Sequence, residues 1–360
     1  MAGIISTCFR DSDGNILQSS NETMSLLPAS NMKVVSGYSA YKILGREFNF
    51  VTKFSNTGNR LYVSGDPCPL FSLSDMRNIL RNKENGDITG ITFDDQVLDN
   101  LPYGSGWEIE DSPYCYQTCI VPYSVNEGCI PSKKIRYSKL KDQVNHKDDS
   151  MSVNNQYRHF TMALSNIIGH KLDFKIGHLD TAEYNSTYEK KLTDILHHIE
   201  EFSCNFSIEV VTKYLSHHVS GGRGNWKEST KIIENLMKEL NLDMEGIRIV
   251  DGSGLSRQNL LTTSFLSDLI FRIKQGKNKD FIDLLPSKGE GTLKNRLNKM
   301  DDLKIRAKTG SFQYCSSLTG YISSLDVSFS IILNNFNESD QQLRERIDDI
   351  LMNFVSSRMR

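Results

Sequence analysis

The sequence predicts a mixed α+β fold in which a strand-rich block interrupts one larger domain. Residues 1–45 have the pattern of two strands and a helix, whereas residues 46–150 carry short strand-like runs between Gly, Pro, Asn and Tyr. Helical periodicity returns after residue 151, and strand-like runs followed by a last helix end the chain. We therefore expect residues 1–45 and 151–360 to form one discontinuous domain, with residues 46–150 inserted as a β-rich domain.

The first elements are a strand, a turn and a second strand. Residues 3–9, GIISTCF, alternate loosely between apolar and polar side chains, and the Asp13–Gly14 pair that follows is a common turn sequence. Residues 30–45 then place apolar or small residues at helical spacing, and Gly45 is a typical residue at the end of a helix. The sequence therefore predicts a β-hairpin followed by a helix that begins near Ser30.

The middle block contains three runs that predict short strands, FNFVTKF, NRLYVSG and DITGITFDD. A basic and polar stretch at residues 131–150 follows, and we interpret it as a linker or as solvated strands. Beyond it, amphipathic spacing predicts helices in HFTMALSNIIGH and in the long run from Tyr188 to His218. The runs LKIRAKTGSF, SLTGYISS and VSFSIILNN predict strands before a C-terminal helix, DQQLRERIDDILMNFVSSR.

Composition excludes several classes of protein. The net charge of −2 provides no broad basic field for nucleic acid, and no apolar run reaches the roughly 18–20 residues of a membrane span. The first residues, MAGIISTCFRDSDG, lack the basic and apolar regions of a signal peptide. We expect a protein that is cytoplasmic if Met1 is the native start, or one whose leader is absent from this chain.

The seven cysteines are scattered and odd in number, so we expect free thiols and a reducing compartment rather than a disulfide framework. Cys115, Cys119 and Cys129 lie close in sequence, but their spacing, without a well-placed His, is a poor zinc signature. We therefore expect no metal ion at these cysteines.

One candidate for chemistry is PASNMK, in which Ser30 precedes Lys33 by three residues. On a helix these positions share a face, so the serine would lie beside a possible base. Serine is also a common helix N-cap, and the pattern S-x-x-K recurs at Ser138 and Lys141. The spacing alone leaves both interpretations open.

Three further segments carry polar groups that are suited to catalysis. FSCNFS places Ser203 and Asn205 two residues apart, so both could face one point only at a break between helices. K-T-G, residues 308–310, occurs once, on a predicted strand, and offers a cation, a hydroxyl and a position where a backbone can approach closely. DGSGLSRQN, residues 251–259, is a turn-rich loop, and its alternative interpretation is a sharp turn in which Ser256 or Asn259 caps a helix.

The order S-x-x-K, S-x-N, K-T-G is the signature of penicillin-binding proteins and serine β-lactamases. With the flanks LLPASNMKVVSGYSAYKILG, VSGDPCPLFSLSDMRNI, VDGSGLSRQNLLT and IRAKTGSFQYCSSLTGYI, the chain closely resembles the class C, low-molecular-mass penicillin-binding proteins. These are D-alanyl-D-alanine carboxypeptidases/endopeptidases of the peptidase S13 type. The resemblance implies a β-lactamase/transpeptidase-like α/β sandwich, an antiparallel sheet with helices on both faces, and identifies residues 46–150 as the inserted domain of the family.

The resemblance also selects among the matches, because Ser30 rather than Ser138 has the family context. It implies that Ser30 attacks the carbonyl of a D-Ala-D-Ala bond and that neutral Lys33 acts as the base. Lys308 would lower the pKa of Lys33 by like-charge repulsion. Ser203, hydrogen-bonded to both lysines, would relay a proton to the leaving D-alanine, and Asn205 would hold the substrate amide.

The same resemblance implies a set of substrate-binding residues, which are Thr309, Gly310, Ser311, Arg257 and the acidic pair Glu110 and Asp111. The backbone N–H groups of Ser30 and Ser311 would form the oxyanion hole, and Lys308 with Thr309 would bind the terminal carboxylate. Arg257 and one residue of the acidic pair would lie near the pocket for the substrate side chain. β-Lactams would acylate Ser30 as covalent inhibitors, and the implied reaction needs no metal ion and no organic cofactor.

Other functions remain open at this level. Since the family works outside the cytoplasm and this chain shows no leader, the same machinery could serve a D-peptidase, an esterase, an amidase or a β-lactamase-like hydrolase with a substrate outside the cell wall. A non-catalytic binding protein is a further alternative, although the complete set of Ser30, Lys33, Ser203, Asn205 and Lys308 opposes it. Cys204 stands between Ser203 and Asn205, and we expect it to be a packed thiol.

Overall fold

The computed structural model describes residues 3–81, 88–131, 150–152, 155–178, 184–298 and 303–358. The strands are β1 Ile4–Arg10, β2 Ile16–Ser20, β3 Asn49–Thr57, β4 Arg60–Gly65, β5 Gly90–Phe93, β6 Cys129–Pro131, β7 Ser150–Ser152, β8 Asp173–Ile176, β9 Ser186–Lys191, β10 Ile305–Phe312, β11 Cys315–Ile322 and β12 Val327–Asn334. The α-helices are α1 Met32–Leu44, α2 Leu73–Leu80, α3 Gln156–Ile168, α4 Leu192–Phe202, α5 Asn205–Ser220, α6 Trp226–Glu239, α7 Thr263–Gln275 and α8 Asp340–Arg358.

The chain divides into two compact units. The first contains residues 1–46, 196–204 and 230–360, and the second contains residues 47–195 and 205–229. We expected a boundary at residue 150, but β8 and β9 lie beyond it and belong to the sheet of the second unit. The reason is pairing, because β9 pairs with β3 and β8 pairs with β5, and neither partner is visible in the local sequence.

The first unit is built on a five-stranded antiparallel sheet in the order β10-β11-β12-β1-β2. Phe9 on β1 and Phe329 on β12 are partners in the sheet and share a buried apolar cluster with Phe354 of α8. Successive side chains of a strand point to opposite faces. On the other face, Ser6 of β1 hydrogen-bonds Thr263 at the start of α7, with 2.7 Å between the hydroxyl oxygens. Helices therefore cover both faces of this sheet, as predicted.

A short 3₁₀ turn, Ala29–Asn31, leads into α1 and contains Ser30. Asn31 is buried and donates from Nδ2 to the hydroxyl of Thr319 on β11 at 2.9 Å, which attaches the turn to the sheet. The helix ends at Leu44, and Gly45 has a φ of 88°, a backbone conformation that glycine adopts without strain. The predicted helix and its end are confirmed.

The second unit has its own five-stranded sheet, in the order β8-β5-β4-β3-β9. Buried aromatic and aliphatic side chains from β3, β4, β5, α2, α3 and the adjoining loops form its core, among them Phe54, Phe71, Phe93 and Phe160. The residues from Tyr188 to Lys191 were predicted to begin a long helix but belong to β9, where burial alternates with period two. Here strand pairing with β3 prevails over a weak helical pattern.

A disulfide joins Cys115 and Cys129 in the second unit, with Cα atoms 5.6 Å apart. Our expectation of free thiols is wrong for this pair, because a 3₁₀ turn at Cys115 and the start of β6 at Cys129 bring the two residues together. Within the described residues, no disulfide is formed by the remaining cysteines, which are Cys8, Cys68, Cys119, Cys204 and Cys315. Within the described ranges, no helix is long and apolar enough to cross a membrane.

Candidate active site

Ser30 and Lys33 meet at the start of α1. Ser30 is half-buried, and Lys33 is fully buried and donates from Nζ to Ser30 Oγ at 2.9 Å. Ala29, the residue before the serine, has a φ of 48°, a left-handed conformation that is uncommon for a residue with a side chain. The turn thus keeps the Ser30 hydroxyl within hydrogen-bond distance of the Lys33 amine. A neutral Lys33 could therefore accept the hydroxyl proton.

The turn-rich loop at residues 251–259 secures Lys33. Its buried Asp251 accepts bonds from two backbone amides of the same loop and from Nδ2 of Asn259 at 2.7 Å. The loop presents the carbonyl of Ser253 to Lys33 Nζ at 2.9 Å. The interpretation of Ser256 or Asn259 as a helix cap is wrong, since Thr262 caps α7. This loop positions the lysine.

Lys308 lies on β10, the edge strand of the sheet, and is fully buried. Its Nζ donates to the carbonyl of Thr309 at 3.3 Å. Burial lowers the pKa of Lys308, the nearby Lys33 cation lowers it further, and the carboxylate of Glu200 opposes both effects. The predicted proximity of the two lysines is therefore present in the structure.

Gly310 allows β10 to lie close to the turn that carries Ser30. A Cβ on residue 310 would lie 2.9 Å from the Pro28 carbonyl oxygen and 3.0 Å from the Ser30 nitrogen, and it would clash with Ser317 Oγ. We predicted that this glycine lets a substrate backbone approach, and the structure adds that it lets the strand approach Ser30. Next to it, the Ser311 hydroxyl is buried and has no hydrogen-bond partner among the described residues.

Ser203 lies at a break between α4 and α5, as the spacing of the S-x-N motif required. It is half-buried and has a φ of 59°. Asn205 begins α5 and donates from Nδ2 to the carbonyl of Tyr116 at 2.8 Å, within the second unit. The roles of Ser203 as proton relay and of Asn205 as substrate ligand stay predictions.

The remaining predicted residues have other contacts. The Arg257 guanidinium lies 4.0 Å from the centre of the Phe312 ring at the end of β10, and the Thr309 hydroxyl lies 2.8 Å from that of Thr292. Glu110 is exposed, and Asp111 accepts a bond from the Tyr116 hydroxyl at 2.7 Å. Their contacts with substrate stay predictions. Ser138 and Lys141 fall outside the described residues.

Glu200 is a residue that the sequence interpretation missed. It lies on α4, three residues before Ser203, and is fully buried. Burial raises the pKa of its carboxyl, and the cations Lys308 and Lys33 oppose that shift. A signal was available, because Ile195, Leu196 and Ile199 mark the buried face of α4 and Glu200 continues it. A carboxyl on a buried helix face is uncommon unless it is paired.

Comparison with known proteins places this geometry in a family. A model of the D-Ala-D-Ala carboxypeptidase 3 (S13) family matches residues 3–164 and 181–354, which is most of the chain. A D-alanyl-D-alanine carboxypeptidase of Actinomadura sp. (strain R39) is 31% identical over 154 residues, which cover 40% of this chain and 28% of that protein. A penicillin-sensitive carboxypeptidase A of Dictyostelium discoideum is 32% identical over 133 residues, covering 33% of this chain and 26% of the relative. The matched stretches therefore span less than a third of these relatives.

Solved structures share the fold over nearly the whole chain. Penicillin binding protein 4 of Haemophilus influenzae matches with a TM-score of 0.81 at 17% identity, over 94% of this chain and 92% of that one. A predatory peptidoglycan endopeptidase of Bdellovibrio bacteriovorus matches with a TM-score of 0.64 at 14% identity, over 99% and 94%. At these identities the similarity shows the fold, and it agrees with the α/β sandwich expected from the sequence.

Proposed function

The chain belongs to the D-Ala-D-Ala carboxypeptidase 3 (S13) family, and from this premise we propose that it is a serine D-alanyl-D-alanine carboxypeptidase/endopeptidase acting on peptides of the peptidoglycan type. The observation that carries the proposal is the contact of 2.9 Å between Ser30 Oγ and the buried Lys33 Nζ. A serine hydroxyl at this distance from a neutral amine is an activated nucleophile, because the amine can accept its proton.

The reaction is acyl transfer in two steps. Ser30 Oγ attacks the carbonyl carbon of the D-Ala-D-Ala bond, and its proton passes to neutral Lys33. Backbone N–H groups of Ser30 and Ser311 stabilise the oxyanion. The C–N bond then breaks, the leaving D-alanine takes a proton through Ser203, and water hydrolyses the Ser30 ester.

The substrate lies along β10. Within the described residues this strand is at the edge of its sheet, and an extended peptide can add to such an edge by backbone hydrogen bonds. Asn205 holds the substrate amide, while Lys308 and Thr309 bind the terminal carboxylate. Arg257 and the acidic pair Glu110 and Asp111 are the proposed contacts for the substrate side chain.

A β-lactam would acylate Ser30 by the same attack, with the ring C–N bond breaking and the product remaining attached. One solved relative, penicillin binding protein 4 of Haemophilus influenzae, is described as complexed with a β-lactam. We further propose that the protein works outside the cytoplasm. The Cys115–Cys129 disulfide supports this compartment, because disulfides persist in oxidising surroundings.

Covalent labelling with a fluorescent penicillin tests the nucleophile. We expect wild type to be labelled and Ser30→Ala to remain unlabelled, because the alanine has no oxygen to form the ester. The matched control is Ser138→Ala, which removes the serine of the competing S-x-x-K sequence and should label like wild type. Equal labelling of Ser30→Ala and wild type would contradict the assignment.

Peptidase activity needs a separate measurement. D-Alanine release from a diacetyl-Lys-D-Ala-D-Ala peptide should follow the same dependence on Ser30. If a simple ester is hydrolysed while no D-alanine appears at any pH, the enzyme is an esterase with this fold and the carboxypeptidase proposal fails.

A further inference from the structure

Glu200 occupies an unusual place for a carboxylate. Its side chain is fully buried, and neither carboxylate oxygen has a hydrogen-bond partner among the described residues. Burying an ionised carboxylate is strongly unfavourable unless opposite charge compensates for it. Some feature of the surroundings must therefore balance this group.

The carboxylate lies on the face of α1 that carries Lys33. Glu200 Oε1 is 2.8 Å from the point where a Cβ on Gly37 would lie. Lys33 and Gly37 are four residues apart on α1, so they share one face of the helix, one turn apart. The absence of a side chain at Gly37 leaves the space that the carboxylate fills.

The charged groups that act on Glu200 are Lys33 from α1 and Lys308 from β10. On α4 itself, Glu201 pairs with His197, with 3.4 Å between Oε2 and Nε2. Tyr38 of α1, packed edge-on against Phe281, is a neutral phenol whose pKa is raised by burial.

Other acidic groups near these elements are already compensated. Asp280, beside Phe281 in sequence, accepts bonds from the Tyr41 hydroxyl and the Arg46 guanidinium, both at 2.6 Å. Asp251 accepts bonds from amide groups of its own loop and of Asn259. Of these three described carboxylates, Glu200 is thus the one whose charge the two lysines balance.

We propose that Glu200 is a positioning residue that sets the charge of the lysine pair, so that the fully buried cluster is electrically neutral when the pair has given up one proton and kept one. With all three groups ionised, the fully buried cluster carries one net positive charge. Loss of a single lysine proton makes the cluster neutral. Without the carboxylate, a neutral cluster would require both lysines to lose their protons, which would remove the cation that the substrate carboxylate needs.

The role of Glu200 deepens the acyl-transfer function proposed above and rests on it. Lys33 must be neutral to accept the Ser30 proton, and Lys308 must be charged to bind a carboxylate. In the proposed reaction Lys33, which contacts Ser30 and the Ser253 carbonyl, is the lysine that gives up its proton. Glu200 sets the charge of the pair without contacting the reacting atoms.

Titration of the lysine side chains tests this role without turnover. Protein labelled with ¹³C at lysine Cε is titrated by NMR, and the two signals are assigned by their loss in Lys33→Met and Lys308→Met. We expect Glu200→Gln to lower both midpoints, by about 1 pH unit or more, because an opposite charge at close range stabilises an ammonium. Glu200→Met, which leaves no unpaired buried amide, should give the same shift, and Glu201→Gln is the matched control that should give none. Unchanged midpoints in both Glu200 variants would overturn the proposal.

The pH profile of penicillin acylation provides a second readout. Penicillin carries a carboxylate, so its reaction requires neutral Lys33 and charged Lys308, and the profile is bell-shaped. Both limbs should move to lower pH in Glu200→Gln, and a uniform loss of rate with an unmoved optimum would indicate a merely structural residue. If wild type is not labelled at any pH, the acyl-transfer function fails, whereas the NMR titration still decides the role of Glu200.

Discussion

Lys308 has two parts in the proposed reaction, because its ammonium would favour a neutral Lys33 by like-charge repulsion and would also bind the substrate carboxylate. The first effect acts on every acyl donor. The second acts only on donors with a free carboxylate. The two contributions can therefore be separated by the choice of substrate.

Lys308→Ala should impair a peptide with a free C-terminal carboxylate more than a neutral ester of similar acyl structure. Loss of a hydrogen bond to a charged group is worth about 1.5–3 kcal/mol, which is roughly 10- to 100-fold in kcat/KM. The measurement is the ratio of kcat/KM for the two substrates in variant and wild type. Lys304→Ala, at an exposed lysine just before β10, is the control and should leave the ratio unchanged. An equal loss on both substrates would refute the carboxylate role.

At the residue scale, the sequence predicted a contact correctly where the two side chains are only a few residues apart. Ser30 and Lys33 are three residues apart, so helical geometry alone predicts their contact. Glu200 was missed because its partners, Lys33 and Lys308, are more than 100 residues away in both directions. No local pattern connects them.

Gly310 shows how an element is fitted to the site. β10 lies close to the turn that carries Ser30, and the approach requires a residue without a side chain at the point of contact. The K-T-G motif therefore combines a cation with a steric requirement. The position of β10 determines how close Lys308 and the backbone N–H of Ser311, the proposed oxyanion donor, lie to Ser30.

Gly310→Ala should reduce the rate of penicillin labelling by more than its loss of stability explains. The added Cβ pushes β10 away from Ser30, and a displacement of about 1 Å at a reacting geometry can cost about 100-fold in rate. Labelling rates and thermal unfolding are measured on the same samples. Gly14→Ala is the matched control, since its Cβ would collide with the Phe271 ring on α7 rather than with β10 or the Ser30 turn. Its labelling rate should stay near that of wild type below its unfolding temperature. Equal labelling defects in the two variants would contradict a specific role for Gly310.

Most elements were predictable because their periodicity is local. The strands at Ile4–Arg10 and Ile305–Phe312 and the helix at Asp340–Arg358 appear where the sequence indicated. The error from Tyr188 to Lys191 arose because a short polar segment can follow either period. Pairing with β3 decided its conformation.

At the scale of the whole molecule, the Cys115–Cys129 disulfide is a covalent cross-link that the sequence did not predict. It closes a segment of 14 residues in the second unit, the segment whose Tyr116 carbonyl accepts the Asn205 amide. A cross-link of this length restricts the unfolded chain and thereby stabilises the folded one.

Replacing both cysteines, Cys115→Ser and Cys129→Ser, should lower the free energy of unfolding by about 3 kcal/mol, the value expected for a loop of roughly 15 residues. The measurement is denaturant unfolding with and without dithiothreitol. Reductant should destabilise wild type and leave the double variant unchanged, which serves as the internal control. A wild type whose unfolding does not respond to reductant would argue against the disulfide.

The sequence by itself determined the order of the motifs, the proximity of Ser30 and Lys33, the types of most elements and the S13 family. All of these depend on spacing within a few residues or on motif order along the chain. The tertiary structure decided that β8 and β9 join the second sheet, that Cys115 bonds Cys129, and that Glu200 stands beside the active-site lysines. Each of these contacts joins segments that are separated in the sequence. Such contacts depend on strand register and on packing, which are set only when the whole chain folds.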